Sequence, residues 1–293
     1  MKTLFIFCLI APLLFSCEKS IPITIKSSSP KLVVDGNIEN GKSPQIILTN
    51  TVAYFDGLNG SVLEKAFVHN AVVMVSNGVV TQQLKEYGYT IPGGFKVFVY
   101  QNDSINNDTA FKGLLNTTYY LTVITAGKTY TATTKIPALA KTVDSLYWRP
   151  APFLGYPNDI SLFAKFTDPQ GLGNYTRYFV QKNNKQFLPG ANSVFDDQLT
   201  DGTTYEQLVY PGEDRNAIAP FDIYYFKRGD SITYKLCNID KGTYHFWNSW
   251  EFAYQSLGNP FAQPNKVIGN ISNGALGAFY GYAAMYKTLI VPQ

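Results

Sequence analysis

The chain has 293 residues, a formal net charge of +3, and equal shares of aromatic and charged residues, 15% each. Soluble domains ordinarily carry about 25% charged residues, and disordered chains are charge-rich and poor in aromatics. The composition therefore excludes a disordered chain, and it argues against a coiled coil, which is built mainly from Ala, Glu, Lys, Leu and Arg. The small net charge gives no reason to expect nucleic acid as a partner.

The N-terminus has the features of a secretory signal peptide. Lys2 precedes an apolar run from Leu4 to Phe15, which is shorter than the roughly 20 residues that span a bilayer. The pair Ser16 and Cys17 at the end of this run is similar to a lipobox, in which a small residue precedes a Cys that receives lipid. We therefore predict that residues 1–16 are removed and that Cys17 is lipidated. An ordinary secreted protein with an incidental Cys is the alternative.

The remaining chain is predicted to contain a tether and two domains. Residues 17–30 are rich in Ser and Pro, which is typical of an extended linker. Pro137 interrupts the strand pattern because proline has no backbone N–H to donate. We accordingly place a domain boundary near residue 140, between a first domain at 31–140 and a second at 141–293.

Alternating apolar and polar residues predict strands through the first domain. The candidate strands are residues 31–38, 45–51, 71–76, 79–85, 118–125 and 128–135. Asn77 and Gly78 tolerate positive φ and predict a two-residue type I′ hairpin, and Ala126 and Gly127 predict another turn. About seven short strands in roughly 105 residues fit an immunoglobulin-like β-sandwich.

The second domain is predicted to be larger, β-rich, and joined by long loops. Its candidate strands are residues 143–148, 160–167, 175–182, 221–227, 231–238, 266–272 and 278–289. The region 183–213 is rich in Asn, Gly, Asp and Thr, and it predicts loops with at most a short strand near 207–210. The expected fold class is therefore mainly β, with two β-sandwich-type domains.

One amphipathic helix is predicted at residues 243–257. Its aromatic and apolar stripe has helical spacing and consists of Trp247, Trp250, Tyr254 and Leu257. We favour the interpretation that this stripe packs the helix onto a sheet, and a ligand platform is the alternative. If the protein binds a ligand, we expect the aromatic surface of the second domain to bind it. The candidate ligand-binding residues are Trp247, Trp250, Tyr280 and Tyr282.

The sequence contains no recognisable catalytic, cofactor or metal motif. Two His residues are too few for a His-rich metal site, so no metal ion, cofactor or catalytic residue is assigned. Cys237 lies in a predicted strand, and we interpret it as a small buried apolar residue. The densest acidic patch consists of Asp196, Asp197, Asp201 and Glu206. It could supply the paired carboxylates of a glycosidase, although a solvated loop is the favoured interpretation.

Several stretches, taken in order, resemble a family of Bacteroidota lipoproteins defined by domain of unknown function 4249. The similar pieces are residues 32–36, 71–75, 127–132, 136–137, 143–147, 259–261, 269–271 and 274–277. The resemblance extends over nearly all of the chain after the signal peptide. It implies an outer-membrane lipoprotein that is usually encoded near a SusC-like TonB-dependent receptor. The family has no established activity, so the resemblance implies no catalytic residues.

These features together predict an outer-membrane lipoprotein, at the periplasmic face or the cell surface. We expect a non-catalytic accessory or substrate-binding component of a TonB-dependent nutrient uptake system. Its partners would be the outer membrane, through the lipid on Cys17, and a SusC-like receptor. A structural or adhesive β-sandwich protein of the cell surface is the first alternative, and a glycan or peptide hydrolase is the second.

Overall fold

A computed structural model describes residues 29–52, 60–91, 94–103, 111–151, 158–215, 225–259, 261–263 and 265–293. The predicted signal peptide, Cys17 and most of the predicted tether lie outside the described residues, as does most of the predicted strand at 221–227. Within the described ranges, no helix is long and apolar enough to cross a membrane.

The described residues form two helices and fifteen strands. The helices are α1 (Gly60–Ala66) and α2 (Lys241–Gln255). The strands are β1 (Leu32–Glu39), β2 (Gln45–Asn50), β3 (Val72–Ser76), β4 (Thr81–Thr90), β5 (Lys96–Gln101), β6 (Thr117–Thr125), β7 (Lys128–Ile136), β8 (Thr142–Pro150), β9 (Asp159–Thr167), β10 (Tyr175–Lys182), β11 (Leu188–Phe195), β12 (Thr204–Val209), β13 (Phe226–Lys227), β14 (Ser231–Ile239) and β15 (Leu276–Ile290).

Eleven of the strands form one large sheet in the order β11-β10-β14-β15-β1-β2-β5-β4-β3-β6-β7. The other four form a small sheet in which β9 pairs with β8, β12 and β13. In the large sheet, β15 pairs in parallel with β1 and antiparallel with β14. Strand β15 therefore joins strands from both sides of residue 140 into a single sheet.

Three hydrophobic cores hold the strands together. The first lies among β1–β7 and includes Phe279 and Ala283 of β15. The second lies where the small sheet packs on β10 and β14, and the third lies between α2 and the face of the large sheet. The prediction of a mainly β, sandwich-type protein is confirmed. The domain boundary near residue 140 stays a prediction. Strand β15, which belongs to the predicted second domain, contributes residues to the first core.

Two predicted features of the strands are wrong. Ser76 pairs with Thr81, so the hairpin loop has four residues rather than two. The side chain of Asn77 accepts hydrogen bonds from the backbone N–H groups of Val79 and Val80 at 3.0 and 2.8 Å, which favours the wider turn. Residues 266–272, predicted as a strand, have no regular secondary structure where they are described.

Strands β5 and β11 and helix α1 were not predicted. Strand β11 contains Pro189 and Gly190, residues that ordinarily weaken a strand. Gly190 is required there because a side chain at this position would meet the hydroxyl of Tyr178, with its Cβ only 1.9 Å away. Tertiary pairing with β10 therefore outweighs the local preference of this segment.

Candidate functional site

A groove of about 1390 Å³ crosses one face of the large sheet, and we call it the sheet groove. Its floor consists of β10, β14, β15 and β1. Side chains alternate between the two faces of a strand, so Asp35, Asn37 and Glu39 face the groove while Val34 and Ile38 enter the first core.

Helix α2 forms one wall of the sheet groove. The carboxylate of Asp240 caps its N-terminus by accepting a hydrogen bond from the backbone N–H of Thr243 at 2.7 Å. Its buried positions are Thr243, Phe246, Ser249 and Glu251. The predicted stripe is confirmed at Trp247 and Trp250, which pack against the third core. It is wrong at Leu257, which follows the helix and is 74% exposed.

The four predicted ligand-binding residues lie together in the sheet groove. The ring centroids of Trp247 and Tyr280 are 5.2 Å apart, as are those of Tyr280 and Tyr282. Trp250 lies 5.8 Å from Trp247 and stacks on Tyr254 at 5.3 Å with nearly parallel planes. We call these five residues the aromatic cluster. Tyr280 and Tyr282 are buried in the floor, whereas both tryptophans are only half-buried.

Arg177 of β10 lies under the aromatic cluster, and sequence reasoning did not identify it. Its guanidinium carbon is 3.4 Å from the centroid of the Trp247 ring and 4.6 Å from that of Phe179. Its Nε donates to the hydroxyl of Ser193 at 3.0 Å, and Nη1 donates to the hydroxyl of Tyr282 at 2.6 Å. The available signal in the sequence was that Arg177 lies two residues before Phe179 in a strand, so that both side chains share one face.

A second arginine, Arg215, connects the helix to the edge of the large sheet. Its Nη2 contacts the Glu251 carboxylate at 3.1 Å, and its guanidinium lies over Trp250 at 4.7 Å. Glu251 also accepts hydrogen bonds from the backbone N–H and the hydroxyl of Ser193. The chain of contacts from Arg177 through Ser193 and Glu251 to Arg215 therefore fixes the wall of the groove against its floor.

A cluster around Glu39 supplies further charge to the sheet groove. The buried Glu39 carboxylate accepts hydrogen bonds from the ammonium of Lys235 and the hydroxyl of Tyr286, and it lies 2.8 Å from the ammonium of Lys42. Burial alone would raise the pKa of Glu39, but the charge of Lys235 and these hydrogen bonds outweigh it and lower the pKa. Glu39 is therefore an anion shared by two cations.

Asp35 faces the sheet groove next to the aromatic cluster. Its carboxylate accepts a hydrogen bond from the hydroxyl of Tyr280. Asp35 is open to the groove but surrounded by protein on its other sides, and this desolvation raises the pKa of its carboxyl. The Tyr280 hydrogen bond and the charge of Arg177 oppose that rise only in part.

A family model described as a domain of unknown function matches residues 18–288. The chain belongs to the DUF4249 family. The resemblance found in the sequence is thereby confirmed, and the matched span includes every residue that lines the sheet groove. No curated protein matches this DUF4249 chain.

Residues of the predicted acidic patch bind different parts of this DUF4249 chain. Asp197 is buried and accepts hydrogen bonds from the backbone of Gly173 and Asn174 at 2.8 Å. Burial alone would raise the pKa of Asp197, but these hydrogen bonds outweigh it and lower the pKa. Glu206 of β12 instead pairs with Arg149 of β8 at 2.9 Å. Across the described ranges, no group of three or more His, Cys, Asp or Glu residues is placed to hold a metal ion.

Proposed function

We propose that this DUF4249 chain is a non-catalytic ligand-binding lipoprotein of the outer membrane that serves a TonB-dependent uptake system. The observation that carries the proposal is the sheet groove with its aromatic cluster. Half-buried Trp247 and Trp250 present aromatic surface to a concave space, as binding sites commonly do. The lipid on Cys17 would hold that groove close to the membrane.

Binding accounts for the groove better than catalysis does. The carboxylates of Glu39 and Glu251 are each held by cations, and Asp35 is hydrogen-bonded to Tyr280. A general acid and base need carboxylates that can exchange protons with a substrate. The volume of about 1390 Å³ exceeds the roughly 300–1,000 Å³ of ordinary small-molecule pockets, which favours an extended ligand.

The anchor and the tether agree with a role beside a membrane receptor. The first strand begins at Leu32, which leaves residues 17–31 between the predicted lipid and the fold. Extended at about 3.3 Å per residue, such a linker reaches some tens of ångströms. The body could then contact a receptor in the same membrane without releasing the anchor.

Gentle detergent extraction of native membranes followed by affinity capture tests the receptor part of the proposal. We expect a β-barrel receptor to be captured with the protein, and much less of it with the Cys17→Ser variant, which cannot be lipidated. Capture of the protein alone from intact outer membrane contradicts the receptor role. A deletion strain that loses surface attachment while uptake is unchanged would favour the adhesive alternative.

Intrinsic fluorescence tests the ligand part of the proposal. Two of the three Trp residues, Trp247 and Trp250, lie in the sheet groove, and the third, Trp148, lies on β8 against Arg228. A Trp148→Phe variant therefore reports on the groove alone. Adding the growth-medium polymers that the uptake system consumes should shift the fluorescence emission of this variant. A further Trp250→Ala change should make that shift smaller.

A further inference from the structure

Arg177 is a buried cation that lacks a counter-ion. The residue is 3% exposed, and no carboxylate among the described residues lies within ion-pair distance of it. The other buried cations are paired, since Lys141 contacts Asp168 and Lys235 contacts Glu39. Buried arginines are ordinarily paired because desolvating a lone charge is costly.

A second donor without an acceptor lies against Arg177. The indole N–H of Trp247 is buried and makes no hydrogen bond within the part of the chain that the structure describes. Two nitrogens of Arg177 donate to Ser193 and Tyr282, and its Nη2 makes no hydrogen bond to a described residue. The guanidinium carbon of Arg177 lies 3.4 Å from the centroid of the Trp247 ring, so the two unoccupied donors belong to side chains in direct contact.

The lining of the sheet groove also favours an anion. Six cationic and four acidic side chains line it. Glu39 is shared by Lys42 and Lys235, which leaves positive charge at that end of the groove. Asp35 is the acidic residue whose charge acts on Arg177 from the groove face, and its carboxylate already accepts the hydroxyl of Tyr280. A carboxylate on the ligand matches this lining.

The pairing of the floor strands argues against an extended peptide as the ligand. Strand β1 pairs with β2 and β15, β15 pairs with β1 and β14, and β14 pairs with β15 and β10. None of these three strands has a free edge to which a peptide could add as another strand. The half-buried ring of Trp250 and the exposed ring of Tyr254 instead suit the C–H faces of sugar rings.

We propose that the sheet groove binds a carboxylated oligosaccharide, with one sugar carboxylate held by Arg177 and the indole N–H of Trp247. Neighbouring sugar rings pack against Trp250 and Tyr254. This inference rests on the proposed ligand-binding function and adds the chemical class of the ligand. Nη2 of Arg177 is the recognition element, because Nε and Nη1 already donate to Ser193 and Tyr282.

Isothermal titration with oligogalacturonate, oligomannuronate and hyaluronan oligosaccharides tests the inference. Each is compared with its methyl-esterified form, which keeps the sugar ring and removes the charge. We expect at least one acidic oligosaccharide to bind and its ester to bind about 30-fold more weakly or worse. Arg177→Met should cause a similar loss, whereas Arg149→Met, which removes an exposed arginine from the small sheet, should not.

Further variants and ligands separate the possible outcomes. Circular dichroism and thermal melting establish that each variant folds, and Trp250→Ala tests the groove without disturbing the buried cation. Equal binding of acid and ester, or full affinity in Arg177→Met, overturns the inference. Binding of poly-glutamate in place of every sugar also overturns it. If no sugar binds while a receptor is still captured from membranes, the ligand class fails and the proposed function stands.

Discussion

The buried ion pair between Lys141 and Asp168 should be a major contributor to stability. The side chains are 2% and 0% exposed, and Nζ of Lys141 lies 2.7 Å from a carboxylate oxygen of Asp168. The same carboxylate accepts the hydroxyl of Thr200 at 2.8 Å. The backbone of Lys141 exchanges two hydrogen bonds of 2.8 Å with the side chain of Asn238. The pair therefore fixes the segment between β7 and β8 to both sheets.

Replacing Lys141 by Met leaves Asp168 buried without its cation. Breaking a buried pair in this way costs about 3–5 kcal/mol, which is a large part of the roughly 5–15 kcal/mol that stabilises an ordinary domain. Arg149→Met breaks a pair whose side chains are 51% and 45% exposed, so it should cost about 0–1 kcal/mol. The comparison isolates the effect of burial.

Urea unfolding measures the difference, with far-UV circular dichroism and Trp fluorescence recorded on the same samples. We expect the midpoint for Lys141→Met to be far below those of the wild type and Arg149→Met. The double variant Lys141→Met/Asp168→Asn should recover part of the loss, because it removes the unpaired charge. If Lys141→Met unfolds at the same urea concentration as Arg149→Met, the buried pair does not stabilise this junction as argued.

Three further predictions concern β15, Glu39 and Cys237. Gly277 has a φ of 87°, and a Cβ at this position would lie 2.0 Å from a carbonyl oxygen of β1. Gly274 also has a positive φ, of 74°, but the space around it is open. Gly277→Ala should therefore lower the melting temperature much more than Gly274→Ala. The pKa of Glu39 is lowered from 4.5 in the folded protein, so the stabilisation from its charge is present above that pH and is lost as the pH falls through the lower folded value. The difference in unfolding free energy between wild type and Lys235→Met should therefore shrink on acidification below about pH 4.5. A difference that stays constant with pH would contradict this. Burial raises the pKa of the Cys237 thiol to about 12, so iodoacetamide at pH 8 should label the Cys237 peptide only after unfolding, as mass spectrometry of the digest would show.

Periodicity predicted most strands because their alternation coincides with burial. Strand β10 spans the predicted residues 175–182, and β7 and β14 extend the predictions by one residue each. The structure also shows Ala126 and Gly127 with positive φ at the predicted turn, at 48° and 69°. Strand β11 escaped prediction because its pairing with β10 is a long-range interaction that its local composition opposes.

The candidate site was predicted in its aromatic half and missed in its charged half. The density of aromatics near α2 and β15 identified Trp247 and Tyr280, which the structure places 5.2 Å apart. The importance of Arg177 depends on its having no ion-pair partner among the described residues, and that environment is assembled from β10, β11, β15 and α2. A property of an assembled environment is not encoded in the spacing of residues along the chain.

The parallel pairing of β1 with β15 has a consequence for the order of folding. Asp35 and Tyr280 touch across this pair although they are 245 residues apart in sequence. Contacts of such separation form slowly, because a long loop must close before any of them contributes. Until β15 is available, β1 lacks its parallel neighbour and the groove lacks its central floor strand. The sheet groove is therefore complete only after β1 and β15, which lie near opposite ends of the described chain, have paired.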